Sequence, residues 1–261
     1  MGVFNTSLYC FSLCVNLSFD LYLFVYTSNF DQQLGVSITS LYCFILCGNW
    51  VVLDPTSSMA SQKLEVLFLG HSFVRRLDNH LRSSSLANFS LPSRSHDVRF
   101  LGQSGAHVSD VMTLFQRREV DPHLVFLDIG TNDLTNLYVS THDLATQVFN
   151  LARQLIQHYG VEHVVIMEVL PRTTWGRHGA PRSFSGRVRR FNDMIKALVC
   201  RFKMSLPVSF WFHKRIANDI DTFIADGVHL NSLGLARYTR SVRRAILKYS
   251  RPIRRTLAFS P

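Results

Sequence analysis

Three side chains in this sequence carry the chemistry of acyl transfer if they meet: Ser72 in "LEVLFLGHSF" (64–73), and Asp226 and His229 in "ADGVHLN" (225–231). A serine hydroxyl attacks an acyl carbon only when a base takes its proton. An imidazole does this when its free nitrogen faces the hydroxyl and a carboxylate at the other nitrogen fixes that tautomer. In this reading Ser72 is the nucleophile, His229 the base and then the acid, and Asp226 the group that orients the imidazole. The negative oxygen formed on the attacked carbonyl needs fixed donors. The backbone N–H groups of Ser72 and of Gly105, in "GQSGAH" (102–107), and the amide of Asn132, in "GTNDL" (130–134), would supply three. One such donor is worth about 3–4 kcal/mol in the transition state. Each stretch also has a plainer reading: Ser72 as a helix cap, Asn132 and Asp133 as turn residues, Gly102 and Gly105 as a tight turn, Asp226 and His229 as an exposed loop pair. Only the whole set points to chemistry.

Elements that would position this set are legible from residue 63 onward. Short apolar runs, "LEVLFL" (64–69), "DVRFL" (97–101), "HLVFLDI" (123–129), "HVVIMEVL" (163–170) and "PVSFWF" (207–212), alternate with segments of helical spacing near 73–83, 107–118, 141–158, 186–203 and 232–249. The runs are continuously apolar, as expected of strands covered on both faces. In the third helix Leu144, Val148, Leu151, Leu155 and Ile156 form one stripe, with Thr141 as the expected N-cap. Right-handed crossovers turn this βα repeat into a three-layer α/β/α sandwich with a doubly wound, parallel, five-stranded sheet. Ligands of such sheets gather outside the carboxyl ends of the strands. All four motif stretches follow strands, so they are expected at that edge.

The four blocks, "GHSF", "GQSGAH", "GTND" and "DGVHLN", resemble those of the SGNH hydrolases, the wider GDSL esterase and lipase superfamily, over residues 64–249. The resemblance implies a flavodoxin-like fold, Ser72 as nucleophile, Gly105 and Asn132 completing the oxyanion hole with Ser72, and Asp226 and His229 completing the triad. It implies acyl or acetyl esters as substrates, on carbohydrate or lipid, and no cofactor. One departure is His71, which stands where the family usually has Asp beside the nucleophile; the loss of an acceptor that orients the turn, added positive charge near the oxyanion, or a solvent-facing turn residue are the expected consequences. Phe73 for Leu keeps an apolar anchor.

The stretch 171–190, rich in Gly, Pro and Arg, is expected to hang over the same edge, with Trp175 stacking on a substrate and Arg172, Arg177 and Arg182 attracting an anionic group, or as a solvated loop. A second class of function competes with catalysis. Arg237, Arg240, Arg244, Lys248 and Arg251 recur at spacings of three or four, followed by Arg254 and Arg255, a stripe suited to nucleic acid phosphates or anionic headgroups. Esterase domains similar to this one occur in proteins encoded by retrotransposons, which is compatible with an inactive or weakly active binding protein. Neither G-x-G-x-x-G nor a P-loop follows the first strand, and no metal-ligand cluster is apparent.

Residues 1–62 differ in composition. They hold no Lys or Arg and three Asp, so the net charge of +10 divides into −3 there and +13 over the remainder. "TSLYCFSLCVN" (6–16) returns as "TSLYCFILCGN" (39–49), matching at nine of eleven positions, and four of the five cysteines (Cys10, Cys14, Cys43, Cys47) lie in this part. It has no basic n-region and no apolar run long enough to span a bilayer, and its cysteines lack histidine neighbours that would suggest zinc. The expected organisation is a poorly folding extension over 1–58, a natural start at Met59, an esterase-type domain over 59–250 and a basic tail over 251–261. With only Cys200 in the folded part, no disulfide framework is expected, and an intracellular site is favoured.

Overall fold

The computed structural model describes residues 6–13, 21–28, 40–46, 49–53, 63–172, 182–214, 216 and 219–259. The chain divides into two units, Met1–Ala60 and Ser61–Pro261. In the first, strands β1 (Thr6–Leu13), β2 (Leu21–Ser28), β3 (Ser40–Leu46) and β4 (Asn49–Leu53) pair in sequence order as an antiparallel meander. β1 lies within the first copy of the repeated sequence and β3 within the second, and both strands pair with β2.

The second unit holds strands β5 (Leu64–Gly70), β6 (His96–Gly102), β7 (Leu124–Asp128), β8 (His163–Met167) and β9 (Val208–Trp211). Their order is β6-β5-β7-β8-β9, parallel throughout, the doubly wound arrangement expected from the periodicity. Helices α1 (Ser72–Ser83), α2 (Val111–Phe115), α3 (Thr141–Tyr159), α4 (Arg182–Phe202) and α5 (Ser232–Phe259) cover both faces. Alternate strand residues feed two separate cores. Leu67, Leu69, Val125, Leu127, Val164 and Ile166 pack with α2, α3 and α4. Val66, Phe68, Phe126, Val165 and Met167 pack with α1 and α5. Phe68 and Phe126 stack with centroids 4.6 Å apart and planes 5° apart. Burying such a side chain is worth about 1.5–3 kcal/mol, and the two-sided demand explains why the strands lack polar alternation.

Local expectations differ at several ends. The N-cap of α3 is Ser140, whose hydroxyl accepts the Asp143 N–H at 3.4 Å, and Thr141 is the first helical residue. The expected helix near 107–118 is only five residues, preceded by a 3-10 turn over Val108–Asp110. α5 continues to Phe259 through Pro252, ten residues beyond its expected end. No helix among the described residues is long and apolar enough to cross a membrane.

Candidate active site

The turn after β5 is set by two close approaches. A Cβ on Gly70 would lie 2.0 Å from the Asp128 carbonyl oxygen, and one on Gly102 would lie 2.5 Å from the Arg75 nitrogen. Only glycine lets β5 meet β7, and β6 meet the first turn of α1, this closely. Ser72 is the first residue of α1, not its cap. Its backbone N–H therefore has no helical acceptor. His71 is the cap: its Nδ1 accepts the Phe73 N–H at 3.3 Å.

This corrects the expectation of a solvent-facing His71, since the residue is 2% exposed. Its Nε2 lies 3.3 Å from Asp128 Oδ1, and the other Asp128 oxygen accepts the Tyr238 hydroxyl at 2.6 Å. With Nδ1 accepting, the proton sits on Nε2, and the ring both caps the helix and donates to a buried carboxylate. Burial alone would push the Asp128 carboxyl up, but His71, Tyr238 and His213 outweigh it and hold it below the usual range. Burial and Asp128 together raise the Tyr238 phenol well above its ordinary value. Phe73 sits among these rings, 5.3 Å from His71 and 5.9 Å from His229 between centroids.

The last block forms a tight turn. The Ile224 N–H donates to the His229 carbonyl at 2.8 Å, and Gly227 has φ +65°. Asn231 caps α5, its side-chain oxygen accepting the Gly234 N–H at 2.9 Å while its amide donates to the Asp221 and Phe223 carbonyls. One Asp226 oxygen accepts the Val228 and His229 N–H groups at 2.8 and 2.9 Å, and the other meets His229 Nδ1 at 2.6 Å. Burial pushes this carboxyl up, but these donors outweigh it and lower it overall. A carboxylate can only accept, so Nδ1 carries the proton and Nε2 is the free nitrogen. That nitrogen lies 3.1 Å from Ser72 Oγ, across 157 residues of sequence.

The other two blocks are held to each other. Asn132 donates its amide to the Ala106 carbonyl at 3.0 Å and accepts Arg172 Nη2 at 3.0 Å. These partners fix which end of the amide is nitrogen, leaving one N–H of that nitrogen unused by them. Asp133 accepts the Val108 N–H at 3.3 Å, and its carboxylate lies 3.2 Å from His107 Nδ1. Gly105 has φ +75°, a conformation that favours glycine, and an added Cβ would meet nothing within 4 Å.

Among the basic residues expected to face substrate, Arg172 instead reaches Asn132 and lies over the Phe184 ring at 5.4 Å. Burial lowers its ordinary value, with Asp226 opposing. Trp175 and Arg177 lie outside the described residues, as does the Arg182 side chain. No group of three metal-ligating side chains occurs among the described residues.

Sequence reasoning missed three supports. Asp128 had a visible signal, a carboxylate ending the apolar run "LVFLD". Tyr238 had none, since a Tyr on a helix stripe reads as core. Arg187, buried, donates to the carbonyls of Leu134, Asn136, Leu137 and Val139 and so holds the loop after Asn132. Within an Arg-rich helix nothing distinguished it.

A family model described as the GDSL-like Lipase/Acylhydrolase family matches residues 68–237. The chain belongs to that family. Solved structures agree on the fold of this GDSL-like protein. It is 17% identical to a GDSL-like lipase from Bacteroides thetaiotaomicron, with TM-score 0.54, covering 70% of this chain and 88% of that one. A lipase/acylhydrolase from Enterococcus faecalis is 16% identical, with TM-score 0.55 over 70% and 95%. A catalytic mutant of an acetylxylan esterase from Geobacillus stearothermophilus is 15% identical, with TM-score 0.53 over 70% and 94%. At these identities the likeness is one of fold. No curated protein matches the GDSL-like chain.

Proposed function

We propose that the chain is a serine ester hydrolase for acyl or acetyl esters, with Ser72, His229 and Asp226 as triad and Ser72, Gly105 and Asn132 as oxyanion hole. The observation that carries this reading is the contact series Ser72 Oγ to His229 Nε2 at 3.1 Å and His229 Nδ1 to Asp226 at 2.6 Å. Ser72 Oγ attacks the ester carbonyl carbon as its proton passes to His229 Nε2. The C–O bond to the alcohol then breaks, and that alcohol leaves with the proton, so Ser72 is acylated. Water, giving its proton to His229, attacks the acyl carbon, and the acid departs as the proton returns to Ser72. Asp226 stabilises the imidazolium at each stage. The free Asn132 N–H, the Gly105 N–H and the Ser72 N–H are assigned to the oxygen that becomes negative. Trp175 and Arg177 are assigned to the substrate side of the site on sequence grounds.

A fluorophosphonate probe and a short-chain aryl acetate, given to the full chain and to Ser72→Ala and His229→Ala, test the proposal. Labelling at Ser72 with hydrolysis lost by a factor of about 10³ or more in both variants is expected. An unlabelled, inactive chain whose fold is intact would instead leave it a binding protein.

A further inference from the structure

Two histidines flank the nucleophile, and each stands beside a carboxylate, in opposite senses. At His229 the carboxylate of Asp226 meets Nδ1 at 2.6 Å, and the free Nε2 faces Ser72 Oγ at 3.1 Å. At His71 the carboxylate of Asp128 lies 3.3 Å from Nε2, and the free Nδ1 accepts the Phe73 N–H at 3.3 Å. One imidazole serves the hydroxyl of Ser72. The other holds the peptide that joins Ser72 to Phe73.

Burial makes this second arrangement definite. His71 and Asp128 both lie in the interior, where water offers neither of them a partner. A carboxylate that already accepts the Tyr238 hydroxyl can accept from a protonated Nε2 but cannot donate to a bare one. This fixes the tautomer that leaves Nδ1 open. A doubly protonated ring would instead set an N–H against the Phe73 N–H. The backbone completes the frame: the His71 N–H donates to the Asp128 carbonyl at 3.1 Å, and the Val74 N–H donates to the His71 carbonyl at 3.1 Å. Residue 71 is thus held through its N–H, its carbonyl and both ring nitrogens.

What this frame holds is the reacting turn. The ring closed by the bond from Phe73 N–H to Nδ1 runs through both peptides of Ser72 and includes the Ser72 N–H. The Phe73 side chain is buried edge-on to His71, and its ring centroid lies 5.9 Å from that of His229. Loss of the Nδ1 contact would therefore release the nucleophile's peptide and the ring against which the base rests. Misplacement by about 1 Å at such a site can cost about 100-fold in rate.

We propose that His71 is a positioning residue for the hydrolysis: with its tautomer set by Asp128, its Nδ1 keeps the Ser72 N–H and the Phe73 ring in register with His229. The proposal rests on the ester hydrolase reading above.

Two substitutions separate the ring nitrogens. An Asn side chain carries its oxygen as far from the backbone as Nδ1 and can cap, but stops short of Asp128. A Gln side chain extends to the distance of Nε2 and can donate to Asp128, but caps poorly. His71→Gln is expected to lower kcat on an aryl acetate by about 10- to 100-fold with KM changed by less than about threefold. His71→Ala, which lacks both groups, should lose at least as much. His71→Asn should restore kcat to within about fivefold of the unaltered protein. All three should unfold at lower urea concentration than the unaltered protein, so a purely structural role would lower kcat in all three alike. Nitrogen NMR of the unaltered protein, labelled in its imidazoles, reads the tautomers directly: Nδ1 bare and Nε2 protonated at His71, the reverse at His229. A proton on His71 Nδ1, unchanged kcat in His71→Gln and His71→Ala, or no recovery in His71→Asn would overturn the positioning role and leave the ester reading standing. An unaltered protein that hydrolyses no aryl ester would overturn both.

Discussion

The imidazole of His71 and the carboxylate of Asp128 lie 3.3 Å apart in the interior, one residue before Ser72 and at the end of β7. The pair links the cap of α1 to the neighbouring strand, and Tyr238 extends the link to α5. His71 thus supplies the acceptor that the usual carboxylate at this position would have supplied, and it does so from a buried ring.

Removing either partner of Asp128 leaves a buried carboxylate short of a donor. His71→Ala, which also loses the helix cap, is expected to cost about 2–4 kcal/mol, and Tyr238→Phe about 1–3 kcal/mol. Because both act on Asp128, the double variant should depart from additivity. Urea unfolding of the four proteins measures this.

The buried groups also set the pH dependence of stability. Burial lowers His213 to about 4, so from about 6.5, its unfolded value, down to 4 the unfolded chain binds the extra proton, and this group adds stability as pH rises. Burial raises Glu168 to about 7 from 4.5, so in that interval the folded chain binds the extra proton and stability falls as pH rises. The slopes oppose each other. Glu168→Gln should therefore show a steeper gain in stability between pH 4.5 and 6.5 than the unaltered protein, read from urea midpoints at pH 5, 6 and 7. An unchanged slope would contradict the assignment.

Asp128 acts further into acid. Its carboxyl is held down, so the stability it contributes is complete above the ordinary carboxylate range and is lost as pH falls through its lowered value. Asp128→Asn is expected to remove this acid-side component, flattening the unfolding curve below about pH 4.

Two glycines separate steric from conformational demand. Gly102→Ala would place a Cβ 2.5 Å from backbone and should cost more than about 3 kcal/mol or prevent folding. Gly160→Ala, at φ +68° after α3 with open space around it, should cost only about 1 kcal/mol. Thermal melts of the two variants distinguish the cases.

If Asn132 serves the oxyanion, Asn132→Ala should lower kcat by about 10²–10³ with little change in KM. Arg172→Ala, which only frees the amide to turn, should lower kcat by a smaller factor, about 10. Steady-state kinetics on an aryl acetate gives both.

The sheet was legible because its signal is local: each run such as "LVFLD" must satisfy two cores, and that demand is written in consecutive residues. Site residues were legible as types and spacings. Asp226 and His229 share one turn, so their contact is close to a local property. The ends of elements were less so, as at Ser140 and Pro252, where a cap and a tolerated proline depend on what packs around them.

From its residues alone this chain establishes the alternation of strands and helices, the placing of four polar blocks at strand exits, and a basic face on the last helix. Tertiary structure decided that Ser72 and His229 meet across 157 positions, that His71 turns inward to Asp128, and that Arg172 reaches Asn132 and not solvent. The reason is range. Periodicity records how each segment meets an apolar layer, whereas the direction of a polar side chain is chosen by partners that only the packing of distant segments brings within reach.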